Sequence, residues 1–172
     1  MQVITNNPNN EIRWYVAHTR PRCEKKLADF CVRESLDSTL PTYRSVRKYL
    51  RKKMIFEKPL FPGYVFLRIR EEDRRKVYNS DFIANLIYVT EQDIFQKQLE
   101  DILFALETDV EMQVRLAPSI AEGTRVKVRY GPLQGMEGWV ERRKGMVEVL
   151  LRLDFIGQAA AMVMDAENLE PT

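Results

Sequence analysis

The chain has 172 residues, enough for one large domain or two small ones. Its 45% apolar content lies above the range of disordered chains, and a net charge of only +2 excludes a polybasic, chromatin-type protein. Two cysteines, Cys23 and Cys31, are too few for a disulfide scaffold. Eight residues apart on one predicted helix, they would stand about 12 Å apart along its axis, beyond the reach of a bridge. The polar opening Met1–Asn10 lacks the basic and apolar regions of a secretory signal. No run of 18 apolar residues is long enough to span a membrane. The expectation is a soluble, cytoplasmic chain with no membrane contact.

Residues 1–11 read as a flexible tail. Trp14–Ala17, aromatic and β-branched, predicts a strand. Pro21 suits the first turn of a helix over Arg22–Glu34. There Cys23, Leu27, Phe30 and Cys31 form one apolar stripe. Arg22, Lys26 and Arg33 form a cationic stripe about 100° away, interrupted by Asp29. Leu40–Val46 and Lys53–Phe56 predict strands flanking a basic tip, Arg47–Lys53. A strand follows at Tyr64–Ile69, then a helix at Glu71–Asn79 opened by acids and closed by bases, then a strand at Leu86–Thr90. Asp93–Leu106 predicts a helix burying Phe95, Leu99, Ile102, Leu103 and Leu106, with Phe104 on the opposite side. Arg125–Arg129, Trp139–Arg142, Val147–Leu153 and Ala160–Met164 predict four further strands joined by glycine turns.

Charge and glycine are unevenly placed. Arg13–Lys58 carries a local net charge of +8, whereas Glu91–Gln113 carries −6 and the stretch from Gly123 onward is neutral. A basic region beside an acidic one points to directed electrostatics towards a polyanion, or simply to solvated surface charge. Six of the seven glycines lie at or beyond residue 123. A glycine-poor α+β pattern thus gives way to a turn-rich all-β one, the mark of a domain boundary. The predicted organisation is a tail (1–11), an α+β domain (12–113), a linker (114–121) that contains Pro118, and an all-β domain (122–172).

Enzyme chemistry finds little support. His18 is the only histidine, so no histidine-based zinc site can be built, and Cys23, Cys31 and His18 match no zinc spacing. Neither a nucleophile elbow nor a phosphate-binding glycine loop occurs. The expectation is a non-enzymatic protein without metal or cofactor.

Three constellations carry more. They are the run from Trp14 to Leu27, the corner Phe61-Pro62-Gly63-Tyr64 leading into Val65-Phe66-Leu67, and Glu122–Val128 followed by Tyr130-Gly131-Pro132-Leu133-Gln134-Gly135-Met136-Glu137-Gly138-Trp139. In this order and spacing they resemble the NusG/RfaH family of transcription elongation and antitermination factors. The resemblance implies an N-terminal antiparallel sheet flanked by helices, followed by a small SH3-like KOW barrel. It implies a monomeric factor that binds the clamp region of RNA polymerase, suppresses pausing or termination, and recruits a ribosomal protein or termination factor through the KOW domain. A ribosome-associated or general RNA-binding KOW protein is the alternative; it predicts a basic barrel, which the neutral C-terminal third does not supply.

Residue roles follow from the same resemblance. His18, Phe61, Pro62, Gly63, Tyr64 and Phe66 fall where the family contacts polymerase. From the residues alone, the aromatics either cap a core or form a docking pocket, and His18 is equally readable as a hydrogen-bonded surface histidine. Arg20, Arg22, Lys25, Lys26 and Arg33, with Arg47, Lys48, Arg51, Lys52 and Lys53 at the tip, would face the non-template DNA strand. The richly charged tip resembles specialised NusG paralogues. Leu133, Met136, Phe155 and Ile156 fall at KOW partner-binding loops, although Leu133 and Phe155 could also plug the ends of a barrel. Arg74, Arg75 and Lys76 depart from the polar residues that RfaH carries there.

Overall fold

The computed structural model describes residues 11–108, 112–116, 124–143, 146–164 and 168–172. They fall into two units, each discontinuous in sequence: one runs to Leu40 and resumes over Pro62–Gln92, the other comprises Pro41–Phe61 and the chain from Asp93 onward. The chain is a mixed α and β protein with antiparallel sheets, and its C-terminal part is rich in strands.

The first unit is built on a four-stranded sheet in the order β2-β5-β1-β6, with β1 at Ile12–Thr19, β2 at Asp37–Thr39, β5 at Tyr64–Arg70 and β6 at Ile83–Tyr88. Side chains alternate across a strand, so Tyr15 and Ala17 of β1 share one face with Val65, Leu67 and Ile69 of β5. Helix α1 (Glu24–Arg33) covers that face with Leu27 and Cys31, two members of the predicted stripe, while Phe30 is only partly buried. Each fully buried aliphatic side chain stabilises this core by about 1.5–3 kcal/mol. The helix closes in a Schellman turn: Leu36 N–H bonds to the Cys31 carbonyl at 2.8 Å and Ser35 N–H to that of Val32 at 3.2 Å, with Ser35 at φ 55°. Both cysteines are free; Cys23 is half-buried, and burial pushes the Cys31 thiol up to about 11.

The predicted helix over Glu71–Asn79 is two pieces, a 3-10 turn at Glu71–Asp73 and helix α2 (Arg74–Asn79). Tight i→i+3 turns are common where helices begin. Beyond β6, the Gln92 side chain extends the ladder of β1: its oxygen accepts from Trp14 N–H at 2.6 Å and its amide donates to the Trp14 carbonyl at 3.0 Å.

In the second unit, β3 (Thr42–Tyr49) and β4 (Lys52–Pro59) pair along their whole length, from Thr42↔Pro59 to Tyr49↔Lys52. Arg47, Lys48 and Tyr49, expected in a looped tip, are therefore strand residues, and the turn is only Leu50-Arg51. Helix α3 (Gln92–Glu107) buries Phe95, Leu99, Ile102 and Ala105. Leu103 and Leu106, expected in the core, are half-buried, because the buried stripe closes on Ala105; Phe104 is 48% exposed. The Phe95 ring meets Phe155 edge-on at 6.1 Å, and Gln98 exchanges two hydrogen bonds with Asp154, at 2.7 and 3.0 Å.

The C-terminal sheet runs β12-β8-β9-β10-β11-β7, with β7 at Met112–Leu116, β8 at Thr124–Val128, β9 at Glu137–Arg143, β10 at Met146–Leu153, β11 at Gln158–Val163 and β12 at Leu169–Pro171. Three residues of the expected linker, Val114–Leu116, belong to β7, which pairs with β11. Residues 117–121 of that linker, like the tail 1–10, lie outside the described residues. Gly138 is required by space: a Cβ there would stand 2.7 Å from Val149 Cγ1 and 2.8 Å from the Leu150 carbonyl oxygen.

Candidate functional site

The corner before β5 is cross-braced. Strand register sets His18 directly opposite Tyr64, and their rings stack with centroids 5.4 Å apart and planes 27° apart. Gly63 turns the chain at φ 87°, a region that L side chains resist. Its carbonyl accepts from Thr19 N–H at 2.8 Å, and its own N–H donates to Glu24 in the first turn of α1, also at 2.8 Å. A Cβ at Gly63 would lie no closer than 3.7 Å to the His18 ring, so conformation rather than crowding calls for glycine. His18 and Pro62 are exposed and Tyr64 is half-buried. One step along the same sheet face, Val16 and Phe66 stand opposite each other and are fully buried. The face thus grades from closed core to open aromatic stack.

Two of the expected contact aromatics are core residues. Phe61 is 1% exposed and Phe66 is buried completely, so neither ring is offered to a partner. Both are large apolar side chains whose burial the hydrophobic effect favours over exposure. Glu24, which no motif singled out as functional, holds the corner by accepting from Gly63 N–H; its first-turn position on a helix was the available clue.

Arg22 is not on the α1 stripe. It sits at φ 59° in the turn ahead of a helix that begins at Glu24. Lys26 and Arg33, seven residues apart, do share an exposed face, Lys25 is exposed beside them, and Arg20 pairs with Asp81 at 3.0 Å. On the β3–β4 hairpin Arg47, Lys48, Arg51, Lys52 and Lys53 are all exposed and gathered within seven residues. Arg74 is held in place instead: it donates to Glu71 at 2.5 Å and lies 5.6 Å over the Tyr15 ring. Tyr15 donates its hydroxyl to the same carboxylate at 2.5 Å. Burial, then that bond, pushes Tyr15 up to about 12; the bond from Tyr15, then Arg74, holds Glu71 below the usual carboxylate range.

In the C-terminal sheet Leu133 and Met136 are buried, against the expectation of a contact loop. Gly131 and Gly135, at φ 93° and 89°, fold this turn inward, and Val128 N–H bonds to the Met136 carbonyl at 2.9 Å. Leu133 is therefore a core residue. Phe155 and Ile156 remain half-buried in the turn after β10. Arg152 and Arg125 lie 4.7 and 5.8 Å over the Trp139 ring, with Arg125 paired to Glu137 at 2.6 Å.

Among the described residues no group of three or more His, Cys, Asp or Glu could hold a metal ion, and no helix is long and apolar enough to cross a membrane. No curated protein matches the chain. A family model described as "Transcription termination factor nusG" matches residues 12–103, more than half of the sequence and the whole of the Gly63 corner, α1 and the hairpin. On that match the chain belongs to the NusG family, a family of transcription elongation and termination factors.

Proposed function

We propose that this chain is an elongation factor that docks on the clamp region of RNA polymerase through an N-terminal domain (12–113) and suppresses pausing or termination. The observation that carries the reading is the His18–Tyr64 stack. Two stacked rings where the central strands β1 and β5 meet the corner, one exposed and one half-buried, are fixed by a backbone bonded to Thr19 and Glu24 and form a pre-organised aromatic anchor. The exposed cations of α1 and of the hairpin would follow the non-template strand by phosphate contacts, which are salt-dependent. A factor that binds the closed-clamp state better than the open one shifts the population by that difference, typically about 1–3 kcal/mol. Such action needs no catalytic group. Beyond the linker (114–121), a KOW domain (122–172) would recruit a ribosomal protein or termination factor through the Phe155–Ile156 turn. The charge-rich hairpin fits a specialised paralogue acting in the cytoplasm.

Replacing His18 and Tyr64 together by Ala tests the anchor. Neither side chain is fully buried, so the fold should survive, while affinity for core RNA polymerase should fall by about 2 kcal/mol or more. Transcription through a pause site and a terminator should lose its response to the protein. A folded double variant that still binds with full affinity would refute the anchor.

A further inference from the structure

The apex of the β3–β4 hairpin combines three choices that folding alone disfavours. Leu50, the first of the two turn residues, sits at φ 51°, where hairpins ordinarily place glycine, asparagine or aspartate. Its side chain is fully exposed, so leucine gains nothing there by burial. Lys48 stands directly opposite Lys53, a like-charge cross-strand pair. Arg47, Arg51 and Lys52 complete the cluster, and none of these five cations is ion-paired to a described carboxylate.

A polyanion supplies what the cations lack, and a stack of bases supplies the apolar slot that Leu50 lacks. We propose that Leu50 is an apolar wedge which this cationic apex inserts against the terminal base pair of a duplex–single-strand junction. Leucine is among the side chains that proteins drive between base steps, and the unstacking cost is smallest where pairing is already broken. Phosphates of both strands converge at such a junction, matching cations on both strands of the hairpin. A lipid surface is the competing ligand, because Val46, Tyr49, Met54, Ile55 and Phe56 are also exposed on this hairpin, and the vesicle titration below decides between the two. The inference rests on the proposed reading that the hairpin cations follow the non-template strand of an open bubble. It does not depend on the polymerase anchor.

The experiment uses the full chain without polymerase. Forked, blunt and single-stranded DNA of equal length, carrying 2-aminopurine at the terminal pair, are titrated at fixed salt. The fork should bind roughly tenfold more tightly than the blunt duplex, the scale of one good stacking contact, and 2-aminopurine fluorescence should rise. Leu50→Gly should erase the fork preference and the fluorescence change while melting no lower than the parent and keeping its affinity for blunt duplex. Leu50→Met should retain most of both signals. Equal binding of fork and duplex by the parent chain, no DNA binding at all, or an unaltered fork preference in Leu50→Gly would each overturn the wedge. Tighter binding to anionic phosphatidylserine vesicles than to the fork, abolished by Leu50→Gly, would assign the apex to membranes and overturn it as well. Failure of the polymerase anchor would leave the fork preference of His18→Ala/Tyr64→Ala intact, so the two readings fail separately.

Discussion

Two turns in this chain make the same demand on the backbone and meet it with opposite residues. At Gly63 the left-handed position is filled by the residue that adopts it without cost, and both of its peptide groups are hydrogen-bonded, one to Thr19 and one to Glu24. At Leu50 it is filled by a branched side chain that touches solvent all round. The first turn fixes aromatic rings that lie beside it, so the backbone has to be relaxed and rigid. The second displays its own side chain, and the strain is carried by the residue on display. A positive φ thus has two uses here: aiming neighbours and exposing oneself.

The comparison breaks first at the residue that precedes the Pro62-Gly63 turn in the chain. Phe61→Ala removes a ring that is 1% exposed and should cost about 3–5 kcal/mol, lowering the urea midpoint sharply. A variant of unchanged stability that no longer binds polymerase would return Phe61 to the surface role its motif suggested. A smaller effect sharpens the contrast: Gly63→Ala should cost about 1–2 kcal/mol through backbone strain alone, since the space for a methyl group exists. If it unfolds at the same urea concentration as the parent, conformation is not what selects glycine there. The smallest effect concerns the apex. Lys53→Glu replaces a like-charge pair by an opposite-charge pair across from Lys48 and should stabilise by about 0.2–1 kcal/mol at low salt, fading as salt rises. A midpoint that drops instead would mean that Lys48 and Lys53 do not repel in the folded hairpin.

Much of this was legible beforehand. Strands β1, β5, β9 and β10 and helices α1 and α3 carry clear period-2 or period-3.6 patterns, and each formed within a few residues of its expected bounds. The three-residue strands β2 and β12 are too short to have a period, and Val114–Leu116 of β7 fell in a stretch read as a join because Pro118 follows closely. The corner was found by its Pro-Gly turn chemistry, which is local. Burial is not local: nothing within Phe61-Pro62-Gly63-Tyr64 says that its first aromatic is covered and its second half open. The same ambiguity attended Leu133 and Met136, which the Gly131–Gly135 turn folds inward. Arg22 was assigned to the cationic stripe by counting helical turns backward across a residue that never joins the helix.

The two cysteines have a practical consequence. Cys31 is buried in the sheet–helix core, and its thiol is pushed up to about 11, so almost none of it is thiolate at neutral pH. Cys23 is half-exposed one residue ahead of α1, beside the glutamate that grips Gly63. Thiol-reactive dyes should therefore sort the two without mutagenesis, and the natural chain is already a single-site labelling substrate. A fluorophore on Cys23 would stand a few residues from the His18–Tyr64 stack and would report, by a change in anisotropy or quenching, whenever that corner is covered.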